Sequence, residues 1–172
     1  ATDLFISEYV EGSSNNKYIE IFNGTGATLN LSDYRLRLFS NGASSPSQDI
    51  LLTGNLSNNT TIVYKDAGAT IYGGTATSNA ACGFNGDDAV ALFKISSNSY
   101  VDIFGNIGND PGTQWSSGSH STLDKTLRRK SSVSQGITVD PSGTLFPTLE
   151  SEWDVDGVDV ISELGSHTFS AP

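Results

Sequence analysis

The sequence predicts an all-β protein, and three observations carry that reading. Short runs rich in Ile, Val, Phe, Tyr and Thr recur along the chain, and clusters of Gly, Asn, Ser and Asp separate nearly all of them. Eighteen glycines and no methionine suit turns better than helix interiors. No segment shows the 3.6-residue periodicity of a helix of ordinary length. At 172 residues the chain fits one domain spanning 1–172, with no repeat or linker, and can bury about two-thirds of its unfolded surface.

The alternation predicts strands over 3–10, 17–23, 33–40, 48–53, 60–65, 88–95, 99–105, 124–130 and 164–170. Breaks such as "EGSSNN", "NGTGATLN", "SNGASSP" and "GNLSNN" follow one another at a spacing that suits a sandwich or barrel rather than βαβ units. The best hairpin is "DAVALFKISSNSYVDIFG": Ala89, Ala91 and Phe93 alternate with Val90, Leu92 and Lys94, and "SSNS" turns into Tyr100–Ile103, predicting a central position. Segments 106–123 and 134–160 hold Gly, Pro, Ser and Asp with little periodicity and are read as long loops.

Nineteen acidic residues against nine basic ones give a formal charge of −10, which repels nucleic acid and anionic membranes at long range. Any anion site is therefore local. Four of the nine cations, Lys125, Arg128, Arg129 and Lys130, fall in "DKTLRRKSS". Arginine forks there suit a nucleic-acid backbone or an anionic polysaccharide, and the competing expectation is an internal network of ion pairs with aspartates. No apolar run approaches the roughly 20 residues of a membrane span, so no membrane insertion is expected. The start "ATDLF", with no charged-then-apolar leader, fits a mature secreted product or a shortened chain alike.

Several side chains invite chemistry. Alternation puts Glu8 on one face with Leu4, Ile6 and Val10, and Glu20 on one face with Tyr18 and Phe22, so both carboxylates point toward apolar surroundings. They are read either as scaffold acceptors of hydrogen bonds or as a pair for hydrolysis. In "EWDVDGVDV", Asp154, Asp156 and Asp159 are candidate Ca²⁺ ligands around Gly157, and Asp87 and Asp88 add acids at another turn, although the EF-hand frame is missing. Solvated turn aspartates are the alternative. His120 and His167 lack zinc spacing, and no G-x-S-x-G, Walker A or G-x-G-x-x-G is present. Trp115 and Trp153 offer a stacking surface or fold onto the core. Cys82, unpaired, reads as a small buried hydrophobe.

Taken together, "DLFISEYVEGSSNNKYIEIFNGTGATLNLSDYRLRL" resembles the opening of a lamin tail domain of the type found in secreted bacterial proteins. "FNGDDAVALFK", "VDIFGNIGNDPGTQW", "STLDKTLRRK" and "LGSHTF" resemble later blocks of that subgroup, in the same order. Tyr34 stands where Trp is common and Phe22 where Tyr or Leu often stands, departures that touch packing rather than fold. The resemblance implies an immunoglobulin-like β-sandwich with long loops, in which Glu8, Glu20 and Asn23 belong to the framework. It also implies a secreted, non-catalytic accessory module, found beside extracellular nucleases, other hydrolases or surface-anchoring segments. The expected contact surface is Trp115, Arg128, Arg129, Lys130 and the 106–123 loop, facing a polyanion or other domains of the same parent chain. Two other functions stand beside it: a hydrolase using Glu8 or Glu20 with a divalent cation on Asp154, Asp156 or Asp159, and a structural spacer or assembly module.

Overall fold

The computed structural model describes residues 1–170, folded as two antiparallel sheets packed face to face. We number the principal strands β1 (Phe5–Glu11), β2 (Lys17–Asn23), β3 (Tyr34–Phe39), β4 (Gln48–Leu51), β5 (Thr60–Lys65), β6 (Ala89–Lys94), β7 (Ser99–Phe104), β8 (Thr126–Arg129) and β9 (Trp153–Asp156). The larger sheet runs β9-β8-β1-β2-β5 and ends in a short parallel pairing with Thr77–Ser78. The smaller runs β7-β6-β3-β4. Two-residue pairs, Leu29–Asn30 with Asn55–Leu56 and Ser116–Ser117 with His120–Ser121, tie down loops.

Apolar side chains of both sheets meet between them. Leu4, Ile6, Tyr9, Ile19 and Ile21 pack with Leu36, Leu38, Val90, Leu92 and Phe104 in one core. Each such burial contributes about 1.5–3 kcal/mol. Tyr9 crosses the gap between the sheets, its ring stacked on Phe84 at 4.7 Å and Phe104 at 4.1 Å.

A β-bulge at Ser7 corrects the expected facing of Glu8. Ile6 pairs with Ile21 and Glu8 with Glu20, so Ser7 is an extra residue and the alternation changes phase across it. Leu4, Ile6 and Tyr9 thus all reach the inter-sheet core, while Glu8 lies on the outer face with Phe5, Val10, Tyr18, Glu20 and Phe22. That outer face is not solvated: every residue of β1 and β2 is buried.

The C-terminal segment explains the cover. Residues 164–170 do not pair as the expected strand; they lie across the larger sheet as a strap. Leu164 joins Val10, Tyr18, Val63 and Ala69, and His167 meets the Phe22 ring at 4.9 Å and the Phe5 ring at 5.7 Å. Within the expected 134–160 loop the chain forms one turn of helix, α1 (Leu149–Glu152), and the edge strand β9. The β6–β7 hairpin forms with β6 inside the sheet and β7 at its edge instead of centrally. The 136–137 loop covers that edge, with the Ile137 N–H donating to Asp102 at 2.9 Å. Gly136 is needed there, since a Cβ would sit 2.3 Å from the Val101 carbonyl oxygen. Among the described residues, no helix is long and apolar enough to cross a membrane.

Candidate functional site

The register of the larger sheet lines up Asp154, Arg128, Glu8, Glu20 and Val63 as one cross-strand row on the outer face, beneath the strap. Glu8 and Glu20 are direct neighbours in it, 1% and 0% exposed. Two like charges in that position would repel, and neither could be hydrated.

Their surroundings differ. Both Glu20 oxygens are engaged: Ser7 Oγ donates to Oε1 at 2.6 Å, and the Gly165 N–H donates to Oε2 at 2.7 Å. The second bond depends on a glycine, because residue 165 has φ +98° and a Cβ would meet the Tyr72 hydroxyl at 2.6 Å. Burial pushes Glu20 up to about 7, against those two hydrogen bonds. Glu8 Oε2 is buried and has no partner. Burial first, then repulsion from Glu20, with smaller contributions from Glu163 and Asp156, pushes Glu8 up to about 8, while Arg128 opposes the shift.

Beside Glu8 lies a cavity of about 230 Å³ between sheet and strap, walled by Glu8, Arg128, Arg129, Asp154, Glu163 and His167 and completed by hydroxyl side chains. His167 Nε2 is buried without a partner, and burial, then the nearby Arg129 cation, lowers its pKa to about 4. Glu20 does not line this cavity. The two opening carboxyls therefore fail to converge on one pocket.

The expected contact residues are placed differently from a binding patch. Trp115 is buried in the core, its indole N–H donating to the Asp88 carbonyl at 2.8 Å, which removes it as a stacking surface. Arg129 is also buried. It faces the inter-sheet core, with both terminal nitrogens on Asp102 at 2.8 and 3.2 Å, further bonds to Glu152 and to the Ile6 carbonyl, and its guanidinium 4.6 Å from the centre of the Trp153 ring. Burial works against its charge, but Asp102 and Glu152 outweigh it and raise the Arg129 pKa. Arg128 pairs with Asp156, and Lys130 with Asp154 at 2.6 Å. Lys130 is the most exposed of the three basic side chains.

The three candidate metal ligands do not converge either. Asp154 and Asp156 are taken by Lys130 and Arg128, while Asp159 accepts from the Ser13 N–H at 2.8 Å and Ser13 Oγ at 2.6 Å. Asp88 is spent on the backbone N–H groups of Asn41 and Asn85. Among the described residues no three His, Cys, Asp or Glu side chains gather where they could hold a metal ion. His120 Nε2 donates to the Trp153 carbonyl at 2.9 Å, and Cys82 is buried with its thiol pKa pushed up by burial.

Sequence reasoning missed Glu163 and the cavity altogether. The contact that seals the strap, Gly165 to Glu20, spans 145 residues of chain, and no local pattern encodes it.

Two antiparallel sheets packed face to face over one apolar core give the chain the architecture of an immunoglobulin-like β-sandwich. The Lamin Tail Domain family model matches residues 1–108, more than half of the sequence, and the chain belongs to that family. No curated protein and no solved structure matched it. Strands β8 and β9 and the strap, which complete the larger sheet and cover it, lie beyond the matched residues.

Proposed function

We propose that this chain is a non-catalytic accessory module of a larger extracellular protein, such as a nuclease or other hydrolase, and that it docks a neutral or basic partner or a neighbouring domain. The observation that carries this is how its charges are used. Seven of the nine Lys and Arg side chains stand in ion pairs with seven of the nineteen acids, leaving two cations and twelve acids outside such pairs among the described residues. A polyanion would have to displace Asp156 from Arg128 and Asp154 from Lys130. The acids that remain favour the opposite charge.

The occupied oxygens of Glu20 support a scaffold role over hydrolysis, since paired-carboxylate chemistry needs both groups on one substrate cleft. The test is retention on immobilised polylysine, duplex DNA and a sulfated polysaccharide at low and high salt. Retention on polylysine alone, lost as salt rises, is expected; retention on DNA or the polysaccharide at low salt overturns the proposal.

A further inference from the structure

We propose that the cavity between β1, β8 and the strap binds a primary ammonium group, held by the carboxyls of Glu8 and Glu163 with His167 Nε2 as a third acceptor. This rests on, and sharpens, the acidic-surface reading given above. The cations in the cavity wall already have acids: Arg128 has Asp156, and Arg129 has Asp102 and Glu152. Glu8 and Glu163 have no cation in an ion pair among the described residues. Glu8 is itself 1% exposed, with Oε2 orphaned, and the His167 Nε2 on the facing strap is orphaned too. Two buried polar atoms left unpaired on side chains that line one cavity are a cost the fold carries, and a ligand with several N–H donors removes it.

Size and chemistry select the ligand class. At about 230 Å³ the space falls just below the usual small-molecule range of roughly 300–1,000 Å³ and suits the end of one extended chain. An ammonium offers three donors and no acceptor, matching walls whose unmatched groups are carboxyls and an imidazole lone pair. Its charge also ionises Glu8 by opposing the burial, Glu20, Glu163 and Asp156 contributions that keep the proton on; Arg128 already acts in that direction. Binding at neutral pH therefore releases a proton. The ammonium comes from a lysine of a partner chain or from a free amine.

Calorimetry on the full chain, with Nα-acetyl-lysinamide and 1,4-diaminobutane as probes in two buffers of different ionisation enthalpy, tests this. Binding with proton release at pH 7 is expected; a stronger response to acetyl-lysinamide points to a protein lysine and a stronger response to the diamine to a free amine. Glu8→Gln and Glu163→Gln should each weaken it at least about tenfold, the scale of one charge-assisted contact. Glu163 is exposed just before the strap, so Glu163→Gln should leave the melting temperature unchanged and separates lost binding from lost folding. No binding of either probe at millimolar concentration overturns the proposal, as does an affinity in both variants equal to that of the unsubstituted chain or displacement of the amine by Ca²⁺. Polylysine retention without binding of the small probes removes this site alone; binding of the probes without polylysine retention removes the general acidic-surface reading.

Discussion

Replacing Arg129 with methionine should destabilise the domain by about 3–5 kcal/mol, the usual loss when one partner of a buried ion pair is removed. The size follows from what would be stranded. Asp102, 1% exposed, would lose both guanidinium bonds and keep, among the described residues, the N–H groups of Ile6 and Ile137, and Glu152 would lose the cation it pairs with. The ring of Trp153 would lose the guanidinium that covers it. Because Asp102 belongs to β7 and Arg129 to β8, the pair joins the smaller sheet to the larger one. Its loss should loosen the sandwich as a unit, with a fall in melting temperature on the order of 10 °C for a chain of this size. Arg129→Lys should recover little, since an ammonium cannot serve Asp102 and Glu152 through two forks at once. Urea unfolding measures both, and a loss below about 1 kcal/mol in Arg129→Met would show that the pair does not hold the sheets together.

Stability should also fall as pH rises from about 6.5 to 8.5. In the folded state Glu8 and Glu20 hold protons up to about 8 and about 7, whereas in the unfolded chain they release them near 4.5. Between those values the native state binds more protons than the unfolded state, so the stabilisation is complete below about pH 4.5 and is lost as pH rises through the folded pKa values. The loss should be on the order of 2–4 kcal/mol between pH 6 and 9, less than two independent groups would give, because the carboxyls interact. His167 acts on the other side. Its lowered pKa costs stability only as pH falls from about 6.5 toward about 4, so it does not mask the alkaline slope. Glu8→Gln, uncharged at every pH, should remove more than half of that slope and be the more stable protein at pH 8.5. An unchanged slope in Glu8→Gln would place the titrating group elsewhere.

Much of the framework was legible from alternation. The eight strands expected before residue 131 appear with small changes at their ends, and Glu20 faces Tyr18 and Phe22 as the period of two requires. The facing of Glu8 was legible only halfway. It shares a face with Val10 as expected, but the Ser7 bulge parts it from Leu4 and Ile6, and a single inserted residue leaves no mark in composition. The strand at Trp153–Asp156 was hidden because its aspartates read as a cation-binding turn, when they are the outer-face partners of Arg128 and Lys130. "LGSHTF" carries strand-like residues, yet Gly165 at positive φ sends the segment across the sheet instead of alongside it.

The candidate site was less legible, because its contacts join distant parts of the chain. "DKTLRRK" announces cations without naming their counter-ions, and three of those cations find Asp102, Glu152, Asp154 and Asp156 up to 28 residues away. The strap that turns an exposed carboxyl pair into a buried one, and so sets its proton affinity, follows Glu20 by some 145 residues.

Enclosure of the two opposed carboxyls of β1 and β2 by the fold should keep their protons in place near neutrality. Carbon-13 NMR titration of the glutamate side chains measures that directly. Midpoints near 8 for Glu8 and near 7 for Glu20 are predicted; midpoints for both in the ordinary range, near 4.5, would mean that the strap does not cover them and would contradict the account.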